Sequence, residues 1–600
     1  MCGYFIYVHK TFGINSKYNQ SLFNILFLGL LFLIWFIGPM LNRYVVFVYN
    51  FLFGIYLISQ KIYFKAFGQF YRFSTALSLK NETAGVSDSI AEFVSMNELG
   101  PIIYLAVVTV IFIIAYFALQ RGAFKLRYRL PYKMATLLLF FPIMNNWKAY
   151  NQYLDEALHQ EDVFQMNKTD YYIYETIPNT NQFVEKFGLL PFGLRDGISL
   201  LETDVMGQDD YQEVQNFLNS RPKHTENKMT GIFAGKNLFM IQAESFIDAA
   251  VDPVLTPTLY KMKMDSIRVD GFNTPTLVGS TSDTEFMANT SIIPNSEGYA
   301  ICYKYPFNTY VTTLPKLFNE NGYKTVGYHN NYGQYYNRNV VFPAWGYESF
   351  VDCTGLGLED SQADSTVLDI LKWIYVETNK PYMAYWVTYS GHQPYSLDAV
   401  GVNPRHVARI KERFPNLDDS YVAYIAKNMD LDESLGVFMN KLAKVGKLDD
   451  TVFVYFGDHM VKGLDFDGSA FYDAIGRYKE DDDKRTSLYI YNSATEAGRH
   501  YKTATALDLL PTLANMWGFE VDYSTILGSD IFDDSYPGYY FSDWGFIENS
   551  NFYYDYINDK ITVRSEMSEE DAYKEAQYFM YLKDISAKLL KLDYFKGEIQ

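Results

Sequence analysis

Five continuous apolar runs, separated by amphipathic segments, constrain the fold of this chain more than any other feature. The runs lie after Lys236 and have the composition of buried strands: NLFMIQA, YKTVGYH, YMAYWVTY, TVFVYFG and SLYIYN. The segments between them, such as TVLDILKWIYVE and TATALDLLPTLANMWG, have the periodicity of helices. Apolar strands that alternate with such helices are typical of a mainly parallel sheet. We therefore predict an α/β domain over residues 231–600, with helices on both faces of the sheet.

Residues 1–150 differ from the rest of the chain in both charge and hydropathy. They carry 13 Lys and Arg against 4 Asp and Glu, whereas the whole chain has a net charge of −19, which leaves −28 for residues 151–600. An acidic body of this kind argues against binding to a nucleic-acid backbone, which requires clustered Lys and Arg. We therefore expect no nucleic-acid partner.

Four apolar segments in the first 150 residues predict a membrane domain. Residues 21–41, 44–60 and 101–119 carry no charge and are long enough to span a bilayer. Residues 134–144 are shorter, and they either form a fourth span or a re-entrant or interfacial helix. The loop RGAFKLRYRLPYK before them contains five Lys and Arg, so the positive-inside rule places it in the cytoplasm. We therefore predict a transmembrane helical domain of about four spans, a multi-pass protein of the cell membrane and an extracellular body.

This topology conflicts with the charges near the N-terminus. It places Lys10 and Lys17 outside the cell, against the positive-inside rule, and a first span missing from the start of the chain would remove this conflict.

Residues 151–230 are polar and are predicted to form an extracellular connector. Residues 540–600 are rich in Tyr, end in a helical pattern and are predicted to form a C-terminal subdomain of the catalytic domain.

The number and spacing of the cysteines exclude a thiolate zinc motif and a disulfide framework. The chain has three, Cys2, Cys302 and Cys353, and no CxxC pair, so the sequence contains no thiolate zinc motif and no disulfide framework. A single bridge between Cys302 and Cys353 remains open.

Polar residues follow several of the predicted strands. Glu244 follows NLFMIQA, Asp458 and His459 follow TVFVYFG, and His392 follows YMAYWVTYSG, while Thr281 lies in GSTSDTEF ahead of a helical segment. Ligand-binding groups in open α/β sheets gather beyond the carboxyl ends of the strands, so we expect these residues to converge. Two carboxylates, a hydroxyl and an imidazole could hold a divalent metal with the hydroxyl bound to it. Such a set of groups indicates a metal-assisted nucleophile.

Each of these residues also has a purely structural interpretation when it is taken alone. A Thr before Asp-x-Glu usually caps a helix, an Asp after a strand often caps a turn, and a single His after a strand is more often structural. Their occurrence together, each at a strand end or a helix start, favours a functional site.

The same segments resemble those of the lipoteichoic acid synthase and phosphoglycerol transferase family, in the sulfatase-like branch of the alkaline phosphatase superfamily. The resemblance extends over the membrane spans, the connector and the motifs NLFMIQAES, GSTSDTEF, YHNNYGQYYNRN, TYSGHQPY and VFVYFGDHM. It implies that Glu244, Thr281, Asp458 and His459 bind one divalent cation, manganese or magnesium. It also implies that Thr281 is the nucleophile.

The resemblance further implies a pocket for the substrate headgroup. His329, Tyr336 and Arg338 fall on the substrate-binding positions of the family, and His392 falls on its histidine near the scissile phosphate. Arg338 can hold a phosphate with two N–H groups. The family usually has Trp where Tyr336 stands, so we expect the glycerol contacts to differ. His392 could stabilise charge or move a proton.

The activity implied by the resemblance is that of an enzyme that transfers glycerol phosphate. The donor would be phosphatidylglycerol, the acceptor a polyglycerolphosphate chain of the lipoteichoic acid type, and the intermediate a covalent adduct of the threonine. A phosphoethanolamine or other headgroup transferase, a phosphodiesterase, and a non-catalytic protein that binds teichoic polymers remain as alternatives. The chain contains no Cys-x-Pro-x-Arg motif, from which true sulfatases form formylglycine, and no obvious ligand set for a second metal.

Overall fold

The computed structural model describes most of residues 207–597, residues 180–199 and isolated positions between 52 and 177. The gaps within the first of these ranges are 222–224, 276, 278, 295–299, 360, 467–469, 477–485 and 543–544. Apart from the isolated positions, the four predicted membrane spans lie outside the described residues. Within the described part of the chain, no helix has both the length and the apolar character that crossing a bilayer requires.

The chain divides into two compact units, Met1–Thr203 and Asp204–Gln600. The described helices of the first unit are α1 (Thr180–Phe187) and α2 (Leu189–Ser199). Inside this unit, the buried side chain of Arg72 donates from Nε to Oδ1 of Asp196 at 2.9 Å. The second unit contains the predicted catalytic domain.

An eight-stranded sheet forms the centre of the second unit, and seven of its strands run in one direction. Its order is β4-β3-β5-β1-β6-β7-β2-β8, and β7 is antiparallel to both of its neighbours. The sheet is therefore mainly parallel, as predicted. The strands are β1 (Asn237–Ala243), β2 (Ile267–Val269), β3 (Lys324–His329), β4 (Ser349–Val351), β5 (Tyr382–Val387), β6 (Thr451–Gly457), β7 (Leu488–Tyr491) and β8 (Gly498–His500).

Helices connect these strands along most of the unit. The described ones are α3 (Gln208–Asn219), α4 (Pro257–Asp265), α5 (Thr281–Thr290), α6 (Ile301–Lys304), α7 (Leu314–Glu320), α8 (Arg338–Trp345), α9 (Asp364–Glu377), α10 (Pro404–Arg413), α11 (Asp419–Lys444), α12 (Ala470–Ile475), α13 (Leu509–Trp517) and α14 (Glu569–Leu592). Short 3₁₀ turns occupy Asp248–Ala250, Tyr335–Asn337, Ala506–Asp508, Tyr523–Thr525 and Tyr594–Gly597.

Both faces of the sheet are covered, which explains why its central strands are mainly apolar. Along β1, Leu238 and Met240 belong to one buried cluster, with residues of α5 and α13. Phe239 and Ile241, which point to the opposite face, belong to a second buried cluster with residues of α9 and α11. Successive side chains of a strand point to opposite faces, so a strand covered on both sides has mostly apolar residues at successive positions. The predicted α/β fold is confirmed.

The register of the central strands brings three chain segments to one edge of the sheet. Residue Gln242 of β1 pairs with Val387 of β5, and Ala243 pairs with Gly457 of β6. These strands are parallel and end at nearly the same level. The residues that follow them therefore start side by side at the carboxyl edge.

A second, smaller sheet lies in the predicted C-terminal subdomain. Strands β9 (Tyr540–Ser542), β10 (Phe546–Glu548), β11 (Phe552–Asp555) and β12 (Lys560–Val563) form an antiparallel sheet of order β12-β11-β10-β9. Helix α14 contacts this sheet through Phe579, whose ring centroid lies 4.8 Å from that of Tyr539 and 4.9 Å from that of Phe541. The tail thus forms a packed unit around one helix.

We expect the substitution Phe579→Ala to lower the free energy of unfolding by about 3–5 kcal/mol, because it leaves a cavity between α14 and the small sheet. Phe579 is 1% exposed, whereas its neighbour Tyr578 is 41% exposed. Tyr578→Ala is therefore the matched control and is expected to change stability by less than about 1 kcal/mol. Urea unfolding of both variants measures the difference, and equal losses would contradict this packing.

Candidate active site and metal centre

The carboxyl edge of the sheet carries a group of three buried side chains that can share one cation. Glu244 follows β1, and Asp458 and His459 follow β6. Ligand atoms of these three residues all lie within 4.8 Å of one another. The structure therefore brings together, from two strands, three of the four residues expected to bind metal.

Thr281, the fourth expected ligand, lies against the same group. It is the first residue of α5, and its Oγ1 lies 3.4 Å from Oε2 of Glu244. The Gln242 side chain of β1 donates from Nε2 to the Thr281 carbonyl at 3.0 Å, which ties the start of the helix to the sheet. The N-terminus of a helix favours negative charge, so a phosphate that approaches Thr281 meets a positive dipole end.

The protonation of His459 shows why this group needs a cation. Its Nδ1 lies 2.9 Å from the carbonyl oxygen of Met460, and a carbonyl can only accept, so Nδ1 carries the proton. In the neutral ring, Nε2 then carries no proton and presents a lone pair. This atom faces Oε1 of Glu244 at 3.4 Å and Oδ2 of Asp458 at 3.5 Å. Three electron-rich atoms in contact distance repel one another unless a cation or a proton lies between them.

Asp458 supports the same conclusion through its two unequal oxygen atoms. Oδ1 accepts from the backbone N–H groups of Ser245 at 2.8 Å and His459 at 2.7 Å. Oδ2 is buried and has no hydrogen-bond partner. Buried polar atoms are almost always satisfied, and here the unsatisfied one points toward Glu244 and His459. Two carboxylates, a hydroxyl and an imidazole suit a divalent cation such as magnesium or manganese, so the residues fit the expected metal.

Burial shifts the pKa values of all three groups toward their neutral forms. It raises the pKa of Glu244, with a further rise from the negative charge of Asp458. It also raises the pKa of Asp458 to about 6 and lowers the pKa of His459 to about 4. Near neutral pH, His459 is therefore an uncharged imidazole, which is the form that binds metal.

Local backbone geometry at the site departs from the ordinary regions. Ser245 and Ser280, which adjoin Glu244 and Thr281, have φ values of 52° and 44°. Such conformations of non-glycine residues are strained and occur preferentially at functional sites. Gly391 approaches the same place so closely that a Cβ atom on it would lie 1.9 Å from the carbonyl oxygen of Glu244. The loop after β5 therefore requires glycine there.

His329 and His392 both lie next to the ring of Tyr389. Tyr389 is stacked on His392 at a centroid distance of 5.7 Å and meets His329 edge-on at 6.5 Å. Nδ1 of His329 lies 3.0 Å from the Val387 carbonyl, and Nδ1 of His392 lies 2.5 Å from the Gln393 carbonyl. Both rings therefore have the protonated nitrogen fixed by the backbone, as His459 does. Burial, followed by the charge of Arg338, places the pKa of His329 well below its usual range.

Arg338 is buried and already holds a carboxylate. Its Nε donates to both oxygens of Glu285 at 3.0 Å, and its Nη2 donates to Oε1 at 2.6 Å. Glu285 lies on α5, one turn beyond Thr281, so this ion pair connects α5 to α8. The ring of Tyr336 lies 5.1 Å from the Arg338 guanidinium carbon. Any phosphate that Arg338 binds must approach the guanidinium from the side away from Glu285.

Asp364, which the sequence analysis missed, binds the residue that follows His329 and the loop that carries His392. Its Oδ1 accepts from Nδ2 of Asn330 at 2.6 Å and from the N–H of Tyr389 at 2.9 Å. Its Oδ2 accepts from the N–H of Ser390 at 3.2 Å. Asn330 follows β3 and the other two residues follow β5. The only signal in the sequence is an Asp at the start of a helical segment, which is usually a cap.

Comparison with known proteins agrees with the predicted family resemblance. Residues 236–519 match the family model named Sulfatase. Over this range the chain is similar to the sulfatase family. The chain is 26% identical to lipoteichoic acid synthase 1 of Bacillus subtilis over 376 residues, which cover 59% of this chain and 57% of that relative. It is 25% identical to lipoteichoic acid synthase of Staphylococcus aureus over 541 residues, which cover 86% of this chain and 78% of the relative.

A solved structure confirms the fold of this domain. The lipoteichoic acid synthase LtaP from Listeria monocytogenes superimposes with a TM-score of 0.52 at 23% identity. The match covers 64% of this chain and 97% of that structure. The predicted resemblance and the prediction of an enzyme of the sulfatase family are confirmed. The roles of the individual site residues stay predictions.

We expect Arg338→Ala to lower the free energy of unfolding by about 3–5 kcal/mol, because it leaves the buried Glu285 carboxylate without its partner. Burial already raises the pKa of Glu285, and the Arg338 charge opposes that rise. The double variant Arg338→Met, Glu285→Leu removes both charges and should recover most of the stability. Urea unfolding compares the two, and equal losses would show that the pairing is not the source.

We expect the affinity for Mn²⁺ to fall below about pH 6, because the metal must displace the proton that Asp458 then holds. The loss is about tenfold per pH unit for each displaced proton. His459 adds nothing to this loss above about pH 4. Isothermal titration between pH 5 and 8 measures the dependence, and a constant affinity would contradict it.

The metal-free protein provides the control. Protonation of Asp458 weakens metal binding, but it stabilises the metal-free fold. The folded state keeps the Asp458 proton up to about pH 6, whereas the unfolded chain releases it near an ordinary pKa of about 3.9. This group therefore destabilises the metal-free fold as the pH rises from about 4 to 6. Thermal unfolding without metal should show this contribution, and added Mn²⁺ should remove it.

Proposed function

We propose that this protein is a membrane-anchored transferase that moves glycerol phosphate from phosphatidylglycerol to a polyglycerolphosphate acceptor of the lipoteichoic acid type. The observation that carries the proposal is the position of Thr281, whose hydroxyl lies 3.4 Å from Glu244 at the edge of the candidate metal group. The curated relatives named lipoteichoic acid synthase support glycerol phosphate as the transferred group.

In the first step, the Thr281 oxygen attacks the phosphorus of the donor lipid. A bond forms from Oγ1 to phosphorus, and the bond from phosphorus to the diacylglycerol oxygen breaks. The hydroxyl proton leaves Thr281, and diacylglycerol departs as an alcohol after it takes up a proton. Glycerophosphate remains attached to Thr281. His392, whose Nδ1 proton is fixed by the backbone, presents Nε2 as the group that moves the proton.

In the second step, a hydroxyl of the acceptor attacks the same phosphorus. The bond to Thr281 breaks, the threonine hydroxyl is restored, and the acceptor grows by one glycerophosphate. His392 takes the proton of the acceptor hydroxyl in this direction. The helix start at Thr281 presents its positive dipole end to the phosphate in both steps.

Glu244, Thr281, Asp458 and His459 would hold the divalent cation, manganese or magnesium. When bound, such a cation lowers the pKa of a hydroxyl and offsets the negative charge of the phosphate. His329, Tyr336 and Arg338 would bind the headgroup, with Arg338 oriented by Glu285. The predicted spans in residues 1–150 would keep the site next to a donor that stays in the bilayer.

We expect Thr281→Ala to lower the rate of diacylglycerol release by about 10³-fold or more, because no other hydroxyl replaces the nucleophile. The fold should be retained, with circular dichroism unchanged. Thr281→Ser keeps a hydroxyl at the same position and is the matched control, with measurable turnover. Full activity of Thr281→Ala would contradict the covalent mechanism.

The nature of the donor is tested by supplying the full chain with two lipids in separate reactions. Phosphatidylglycerol labelled in the headgroup should yield diacylglycerol and labelled polymer, and phosphatidylethanolamine should yield neither. Release of free labelled glycerol phosphate without polymer would indicate a phosphodiesterase. Transfer of phosphoethanolamine would replace the proposed donor by the alternative one.

A further inference from the structure

Lys462 places a positive charge near Thr281, the candidate nucleophile, in addition to the charge of the expected metal. It lies three residues after His459, on the same loop. Its ammonium donates from Nζ to Oγ of Ser280 at 2.6 Å, and Ser280 directly precedes Thr281. The side chain is half-buried, so its charge acts in a medium that screens it less than water does.

Lys462 interacts electrostatically with the candidate metal ligands and with Asp283. Burial lowers the pKa of Lys462, while the charges of Glu244, Asp458 and Asp283 raise it. In return, the charge of Lys462 contributes to the low pKa of His459. Asp283 itself accepts from the N–H of Gly279 at 2.7 Å, so it is part of the loop that holds Thr281 in place.

A divalent cation at this site and the Lys462 ammonium would both attract a phosphate at Thr281. Glu244, Asp458 and Asp283 supply three negative charges near Lys462, which a divalent cation and the ammonium together neutralise. The two positive charges repel each other, and a phosphate close to both would reduce this repulsion. The arrangement therefore suits a site that holds metal and phosphate together.

We propose that Lys462 is a further catalytic residue, which donates an N–H to a non-bridging oxygen of the donor phosphate while the Thr281 oxygen attacks. This inference rests on the proposed function. The bond from Oγ1 to phosphorus forms, the bond to the leaving oxygen breaks, and Lys462 transfers no proton. Its contribution is to stabilise the negative charge on the phosphate oxygens as a point charge. Ser280 orients the ammonium toward this place.

The test removes the charge of Lys462 and follows metal and phosphate separately. Lys462→Met and Lys462→Gln are compared with the unaltered full chain. Metal-free protein is titrated with Mn²⁺ by calorimetry, and the Mn²⁺-loaded protein is then titrated with inorganic phosphate. We expect unchanged or up to about tenfold tighter Mn²⁺ binding, because a repelling charge is gone. We expect inorganic phosphate to bind about 10- to 100-fold more weakly, because a charge-assisted hydrogen bond is lost.

Two controls exclude a general effect of altering a partly buried lysine. Lys462→Arg keeps the charge and should retain most of the phosphate affinity. Lys447, whose ammonium donates to the carbonyl of Val376, lies outside the site. Lys447→Met should therefore change neither affinity. Lys462→Gln keeps a donor for Ser280 and serves if the methionine variant does not fold.

The outcomes distinguish this proposal from the proposed function. Weaker Mn²⁺ binding in the Lys462 variants would show that the lysine only supports the fold of the metal site and would overturn the proposal. Unchanged phosphate affinity would overturn it as well. If phosphate affinity falls as expected but the unaltered protein does not use phosphatidylglycerol, Lys462 retains its role and the donor is a different phosphodiester.

Discussion

The rest of the site depends on the mutual repulsion of Glu244, Asp458 and the His459 lone pair. All three groups are buried at the carboxyl edge of the sheet, within contact of one another. A fold that buries such a set without compensation loses stability, and burial accordingly shifts each pKa toward the neutral form. One divalent cation would relieve the repulsion and would then lie next to the Thr281 hydroxyl. In the proposed mechanism, the need for charge compensation and the activation of the Thr281 nucleophile would thus have the same physical origin.

The parallel sheet makes this repulsion unavoidable. Because β1 and β6 pair in register to Ala243 and Gly457, the next residues of both strands emerge together. The surrounding groups then fix their orientation. Ser245 donates to Asp458 from its backbone and to Glu244 from its hydroxyl at 2.8 Å. The strain at this residue and the close approach of Gly391 are tolerated because several hydrogen bonds determine the same backbone path.

The sequence was sufficient to predict those parts of the fold and site that local patterns encode. Strands β1, β5 and β6 are apolar because both faces are buried, and their ends locate Glu244, His392 and Asp458. The four strands of the small sheet are only three or four residues long, too short for a periodic signal. The Arg338–Glu285 pair, the contacts of Asp364 and the position of Lys462 join residues far apart along the chain. No local pattern specifies such contacts, because the tertiary structure alone brings the partners together. The predicted membrane domain and connector stay predictions.

The central claim is that one cation lies among the side chains of Glu244, Thr281, Asp458 and His459. Anomalous diffraction from crystals of the protein grown with Mn²⁺ tests it most directly. The account predicts a single strong anomalous peak within bonding distance of the Asp458 Oδ2 and His459 Nε2 atoms and of oxygens from the other two residues. A well-ordered structure with no peak at this position, or with manganese bound elsewhere, would contradict the account.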